Sequence, residues 1–238
     1  MNSQLSRSLL LAFVTLIPAL WAQENPAAQA ALTPAQQQRH AVHSRQVPGG
    51  IPGQIPNRLA TESGDIHLDN LQGQPYYIQL DPKSTLENVS CESDLAVVGK
   101  FGKATSYPTE DLGYIYSDWD FTVEEVVKSD RVTPVAPGQS ITVTHPGGQL
   151  TINGRHVYAL SESFPPFHPG EEALVYLRSL PSVGTYSLVT PSGFLLSGEN
   201  AIPLDKIRFA QFEGMKKGPV LDLAREAAIF PCSTGSGQ

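Results

Sequence analysis

The chain has 238 residues, a formal charge of −7 and only 16% charged side chains. No run of Lys and Arg occurs, so the clustered cations that a nucleic-acid backbone or an anionic lipid surface requires are missing. Ser, Thr, Gln and Asn take the place of charge, which describes a polar, weakly charged exterior.

Residues 1–22 have the layout of an export signal: Arg7, the apolar run SLLLAFVTLIPAL, and a small residue for cleavage at Ala22. The apolar run is shorter than the ~20 residues that span a bilayer, so a cleaved leader is expected and no membrane span after cleavage. The expected location is secreted or periplasmic. In that oxidising setting, Cys91 and Cys232 are expected to form a disulfide. Residues 23–85 are rich in Ala, Gln and Pro and read as a flexible tether. One apolar burst at Tyr76 to Leu80 would be either an added strand or a linker segment.

Residues 86–232 form the expected domain. Leu95 to Val98 is β-branched and runs into Gly99 and Gly102, where glycine in a strand pattern marks a bulge or sharp coil. The next strand alternates. Ile115, Ser117, Trp119, Phe121, Val123 and Val127 share one face, read as core. Tyr114, Tyr116, Asp118, Asp120, Thr122 and Glu124 share the other, read as solvent or binding surface. SITVTH, QLTI, RHVYAL, EEALVYLRS, TYSLVT and GFLLSG follow as short strands between Gly, Pro and Asn turns. Within THPGGQLTINGRHV, Asn153-Gly154 is a two-residue hairpin signal and Pro146-Gly147-Gly148 suits a second turn, so the stretch reads as a β-meander. A phosphate loop would need a following helix amino terminus, which is not indicated. Pro219 opens an expected helix with Leu221, Ala224 and Ala228 on its apolar side, Pro231 ends it, and residues 233–238 read as a disordered tail. The expected fold is therefore all-β: a small OB-like barrel, closed or partly open, with a short C-terminal α-helix and a flexible tether before it.

In order, SDLAVVGKFGKATSY, YSDWDFTVEEVVK, ITVTHPGG, INGRHV and FHPGEEALVYLRS resemble uncharacterised secreted bacterial β-barrel proteins. More remotely, the layout over Ser90 to Leu196 is similar to the netrin-like domain of tissue metalloproteinase inhibitors, a five-stranded OB barrel with helical additions. In those inhibitors a mature amino-terminal cysteine chelates the protease zinc, and Cys91 stands just ahead of the first strand. It would lie far inside the mature chain unless a second cleavage exposed it.

The candidate site is the polar face of the second strand. Tyr114 and Tyr116, with Asp118 and Asp120, would offer stacking rings and acceptors to a saccharide or a protein. Cross-strand aromatic pairing is the competing reading. Asp118 and Asp120 would stand about 6–7 Å apart, a spacing compatible with a hydrolase carboxylate pair, against the plain alternative of a solvated face. His145 and His156 could face each other across the meander, but a zinc site needs three or four ligands. His40 and His43 fall in the tether, and His168 in the loop FPPFHPGE. The Gly-x-Ser-x-Gly elbow and the zinc-protease helix motif are absent. The expectation is a non-enzymatic binding module with no catalytic residues, metal or cofactor. Its alternatives are a netrin-like protease inhibitor and a hydrolase using the carboxylate pair.

Overall fold

A computed structural model describes residues 33–47, 50–68, 80–160, 166–188 and 192–232. The leader, the first part of the tether, the tail at 233–238 and all of the Tyr76 to Leu80 burst except Leu80 lie outside the described residues.

The described part of the expected tether contains regular structure. Helix α1 (Pro34–Ser44) starts at a capping box between Thr33 and Gln36 and has proline in its first turn. Helix α2 (Gln54–Thr61) and strand β1 (Ile66–Leu68) follow. Helix α3 (Pro82–Glu92) begins at Asp81, whose carboxylate accepts from the Ser84 amide at 3.0 Å, so the expected boundary at residue 86 falls inside a helix. Here the composition is misleading. His43, Ile55, Ile66 and Leu86 are almost completely buried, each against residues distant in sequence.

Among the described residues, ten strands carry the rest of the fold: β1, then β2 (Leu95–Pro108), β3 (Ile115–Lys128), β4 (Ser140–Pro146), β5 (Gly148–Ile152), β6 (Arg155–Ala159), β7 (Glu172–Leu180), β8 (Thr185–Ser187), β9 (Gly193–Ser197) and β10 (Asn200–Pro203). A 3-10 turn at Ala210–Phe212 leads to helix α4 (Lys217–Ala228). The larger sheet is seven-stranded in the order β10-β9-β7-β2-β3-β4-β8, and β8 also pairs with β7. The pairings β7-β2-β3-β4-β8-β7 therefore close on themselves. The smaller sheet is β1-β6-β5, with β1 parallel to β6.

Long strands can close this circuit because they are irregular. The β2–β3 ladder shifts register at Ala96/Val97, Val98/Gly99 and Phe101/Ala104. At Gly99 a Cβ would overlap the Thr122 carbonyl oxygen, so the bulge expected from the glycine is present and requires it. The bulges also correct the expected alternation. Phe121, Val123 and then Val126 pack inside the circuit, whereas Val127 packs on the outer, helix-covered side. An extra residue on β3 reverses which parity points inward.

Three apolar clusters result. Trp119, Phe121, Val143, Val175 and Tyr186 fill the interior of the circuit. Leu86, Val98, Leu174, Phe194, Phe209, Phe212 and Val220 fill the space between the sheet and α3, α4 and the 3-10 turn. Strands β2 and β7 are thus covered on both faces, which explains why LAVV and ALVYL are continuous apolar runs. The third cluster joins α2 and the smaller sheet to Tyr114, Ile115 and Tyr116.

Cys91 in the last turn of α3 is bonded to Cys232 just beyond α4, as expected from compartment and count. Asn153 and Gly154 both have positive φ between the paired Ile152 and Arg155, the expected hairpin. The meander does not extend further back. β4 and β5 belong to different sheets, so Pro146-Gly147-Gly148 is a switch between sheets rather than a turn between paired strands. Among the described residues, no helix is long and apolar enough to cross a membrane.

Candidate functional site

The four residues expected to form a binding face have different fates. Tyr114 and Tyr116 are 0% and 1% exposed, not surface rings. Tyr114 donates its hydroxyl to the Leu160 carbonyl at 3.3 Å. Tyr116 stacks on Tyr107 with centroids 5.5 Å apart, and its hydroxyl meets His40 Nδ1 at 2.6 Å. Burial, reinforced by the charge of Asp118, pushes the Tyr116 phenol well above its usual range. Asp120 is exposed, and Asp118 is partly buried beneath α1.

What covers this face was not legible in the sequence. His43, fully buried, places Nδ1 2.9 Å from Asp118 Oδ1 and Nε2 2.7 Å from the Thr185 hydroxyl. Thr144 donates to the same carboxylate at 2.8 Å. The contacts join residues up to 142 positions apart, and no local pattern announces them. Thr185, His43 and Asp118 stand in the order hydroxyl, imidazole, carboxylate that hydrolases use. Thr185 is only 2% exposed, however, so a substrate carbonyl has no approach to its oxygen without displacement of α1. Chemically the set acts as a pin. It satisfies the oxygens of a partly buried carboxylate with hydrogen bonds and holds a polar helix on the outer face of the circuit. Both oxygens of Asp118 are engaged by it, and none is directed toward Asp120.

An open site lies on the opposite side of β3. A cavity of about 250 Å³ opens between the circuit and the β5–β6 hairpin, lined by Trp119, Phe167, Tyr158, Leu160 and His145. Phe167 stacks on Phe101 with centroids 4.0 Å apart, and Trp119 approaches both edge-on at 5.4 and 6.1 Å. These contacts fix the rings in offset and T-shaped geometry. His145 lies edge-on to Phe167 at 4.9 Å, and burial pushes its pKa down to about 3, so its imidazole is neutral.

Glycine shapes the wall. A Cβ on Gly148, whose φ is +147°, would overlap the hydroxyls of both Ser106 and Ser117. Those hydroxyls share a 2.8 Å hydrogen bond, and Ser117 donates to the Gly147 carbonyl at 2.8 Å. The Pro-Gly-Gly switch therefore forms one side of an apolar cleft whose polar groups are largely satisfied. Of the cavity residues, the sequence singled out His145 and Trp119 but missed Phe167 and Tyr158. The one available signal was the density of rings and prolines around residue 167.

His156 is exposed beside Gln149 and Thr151, while His145 is buried, so the two do not act as a pair of ligands. His168 pairs with Glu171 at 3.2 Å. Among the described residues, no group of three or more His, Cys, Asp or Glu side chains is arranged to hold a metal ion. Cys91 is within α3, not at a chain start. Comparison with protein-family models and with curated proteins finds no match.

Proposed function

We propose that this chain is an extracytoplasmic, non-enzymatic binding module whose closed strand circuit is an OB-like barrel, and that its ligand enters the Trp119–Phe167 cleft. The observation that carries the reading is the cleft itself: about 250 Å³ of space walled by rings already fixed in place, with an uncharged histidine among them. Preformed concave apolar sites with few polar groups are the usual form of ligand pockets. The ligand is an uncharged one that inserts a ring or an apolar side chain, supplied by a saccharide or a protein segment. The Tyr114–Tyr116 face is not the entrance, because α1 and the β5–β6 side of the fold cover it. The extracytoplasmic location is supported by the leader-like residues 1–22 and by the disulfide.

Trp119 provides the test. The sequence has two tryptophans, and Trp21 lies in the leader-like residues 1–22, so in a chain that begins near Gln23 Trp119 is the sole indole and reports directly on the cleft. Titration with a panel of neutral oligosaccharides and short aromatic peptides is expected to give a saturable emission change for at least one member. Tyr158→Ala and Leu160→Ser should weaken it. A flat response across the panel, or one indifferent to both substitutions, would remove the cleft from consideration. Amino-terminal sequencing of exported protein should begin near Gln23, and a retained leader would count against the location.

A further inference from the structure

A second cavity, of about 80 Å³, lies between the end of α3 and the β7–β8 edge, far in character from the aromatic cleft. Its position follows from register. Leu177 and Tyr186 point into the circuit, so Tyr176 and Arg178 point outward, and Ser187, paired with Arg178, points outward beside them. The outer face is roofed here by Val89 and Glu92 of α3.

Two buried hydroxyls line this cavity without a hydrogen-bond partner among the described residues. Tyr176 is 3% exposed and Ser187 is 2% exposed, and neither the phenol oxygen nor the serine Oγ has a hydrogen-bond partner among the described residues. Leaving such groups unsatisfied costs about 1–3 kcal/mol each. Arg178 stands at the rim and makes no side-chain hydrogen bond or ion pair with a described residue. The only carboxylate in the lining, Glu92, is already held by Arg208 at 2.6 Å. Three donors thus converge on one small space with a single uncompensated positive charge. Val89 supplies an apolar wall.

We propose that this cavity is a binding site for a small monocarboxylate. One carboxylate oxygen accepts from the hydroxyls of Tyr176 and Ser187, the other meets the Arg178 guanidinium, and a short alkyl tail lies against Val89. The charge matches: one anion neutralises Arg178, whereas a phosphate dianion would leave an excess of negative charge beside Glu92. The size matches as well, since the cavity admits a short acid and not a sugar or nucleotide. The site is separate from the aromatic cleft and stands independently of the role proposed for it.

Propionate is the probe, and propionamide, its neutral counterpart of similar shape, is the control. Backbone amides of Tyr176, Arg178 and Ser187 are followed by two-dimensional NMR on the full disulfide-bonded chain at constant ionic strength. Propionate should shift these amides saturably, and propionamide should not. Arg178→Gln, at an exposed position that leaves packing intact, should weaken binding about tenfold or more, as expected for a charge-assisted hydrogen bond. Tyr176→Phe and Ser187→Ala should each weaken it about threefold or more. If propionate gives no saturable shift, the hydroxyls are satisfied by water and the proposal is wrong. It is equally wrong if propionamide binds as well, or if Arg178→Gln and Ser187→Ala bind propionate like the parent.

Discussion

His145 shows at the scale of one residue how burial becomes a pH dependence. Its imidazole is neutral in the fold, with a pKa of about 3, while an unfolded histidine titrates near 6.5. Between those values the unfolded chain binds a proton that the folded chain refuses. The stability contributed by neutral His145 is complete above pH ~6.5 and is lost as pH falls toward 3, at up to about 1.4 kcal/mol per unit. Denaturant unfolding at pH 7 and pH 4.5 should show a smaller difference in His145→Asn than in the parent. Equal differences would mean that His145 becomes protonated within the fold. His43 gives the opposite lesson, a buried imidazole with both nitrogens engaged. His43→Ala leaves Asp118 and Thr185 short of a partner beneath α1 and should cost about 2–4 kcal/mol in urea unfolding. A loss under ~0.5 kcal/mol would show that water replaces the ring without penalty.

At the scale of elements, the strands were more legible than the helices before them. The Asn153-Gly154 hairpin and the Gly99 bulge follow from backbone requirements that only a few residue types meet, so short motifs announce them. Gly99→Ala forces a methyl group onto the Thr122 carbonyl and should destabilise by more than ~2 kcal/mol, whereas Gly154→Ala meets only open space and its turn strain. Calorimetric midpoints of the two variants would separate these causes; a mild Gly99→Ala effect would mean that the bulge can widen. Helix α1 was not legible because its partners are polar and remote. Its buried residues are His43 and Ser44, and neither gives a helical apolar stripe. The parity of β3 failed at Val127 for a related reason. Alternation predicts faces only until the ladder gains a residue, and where it gains one depends on the partner strand.

The whole molecule is held by long-range closure. The circuit β7-β2-β3-β4-β8 joins strands drawn from across the chain, and the disulfide ties α3 to the segment after α4 over a separation of 141 residues. In the chain-entropy model, closing so long a loop removes ~4–5 kcal/mol of denatured-state freedom. Urea unfolding of Cys91→Ala/Cys232→Ala should show a loss approaching that figure, with the far-ultraviolet circular dichroism unchanged. Loss of the β signature under native conditions would mean instead that the bridge is required for folding.

The sequence by itself determined the β-rich class, the C-terminal helix, the cysteine pairing and the turn at Asn153-Gly154. Each depends on local backbone chemistry, on period, or on having two cysteines and no other choice. Tertiary structure alone decided which faces are open. Tyr114 and Tyr116 have the pattern of surface rings, yet distant residues bury them. Trp119 reads as core, yet a switch between sheets at Gly147-Gly148 leaves a cleft beside it. Exposure is a property of what packs on top, and what packs on top of a strand is set by partners that the strand's own residues do not encode.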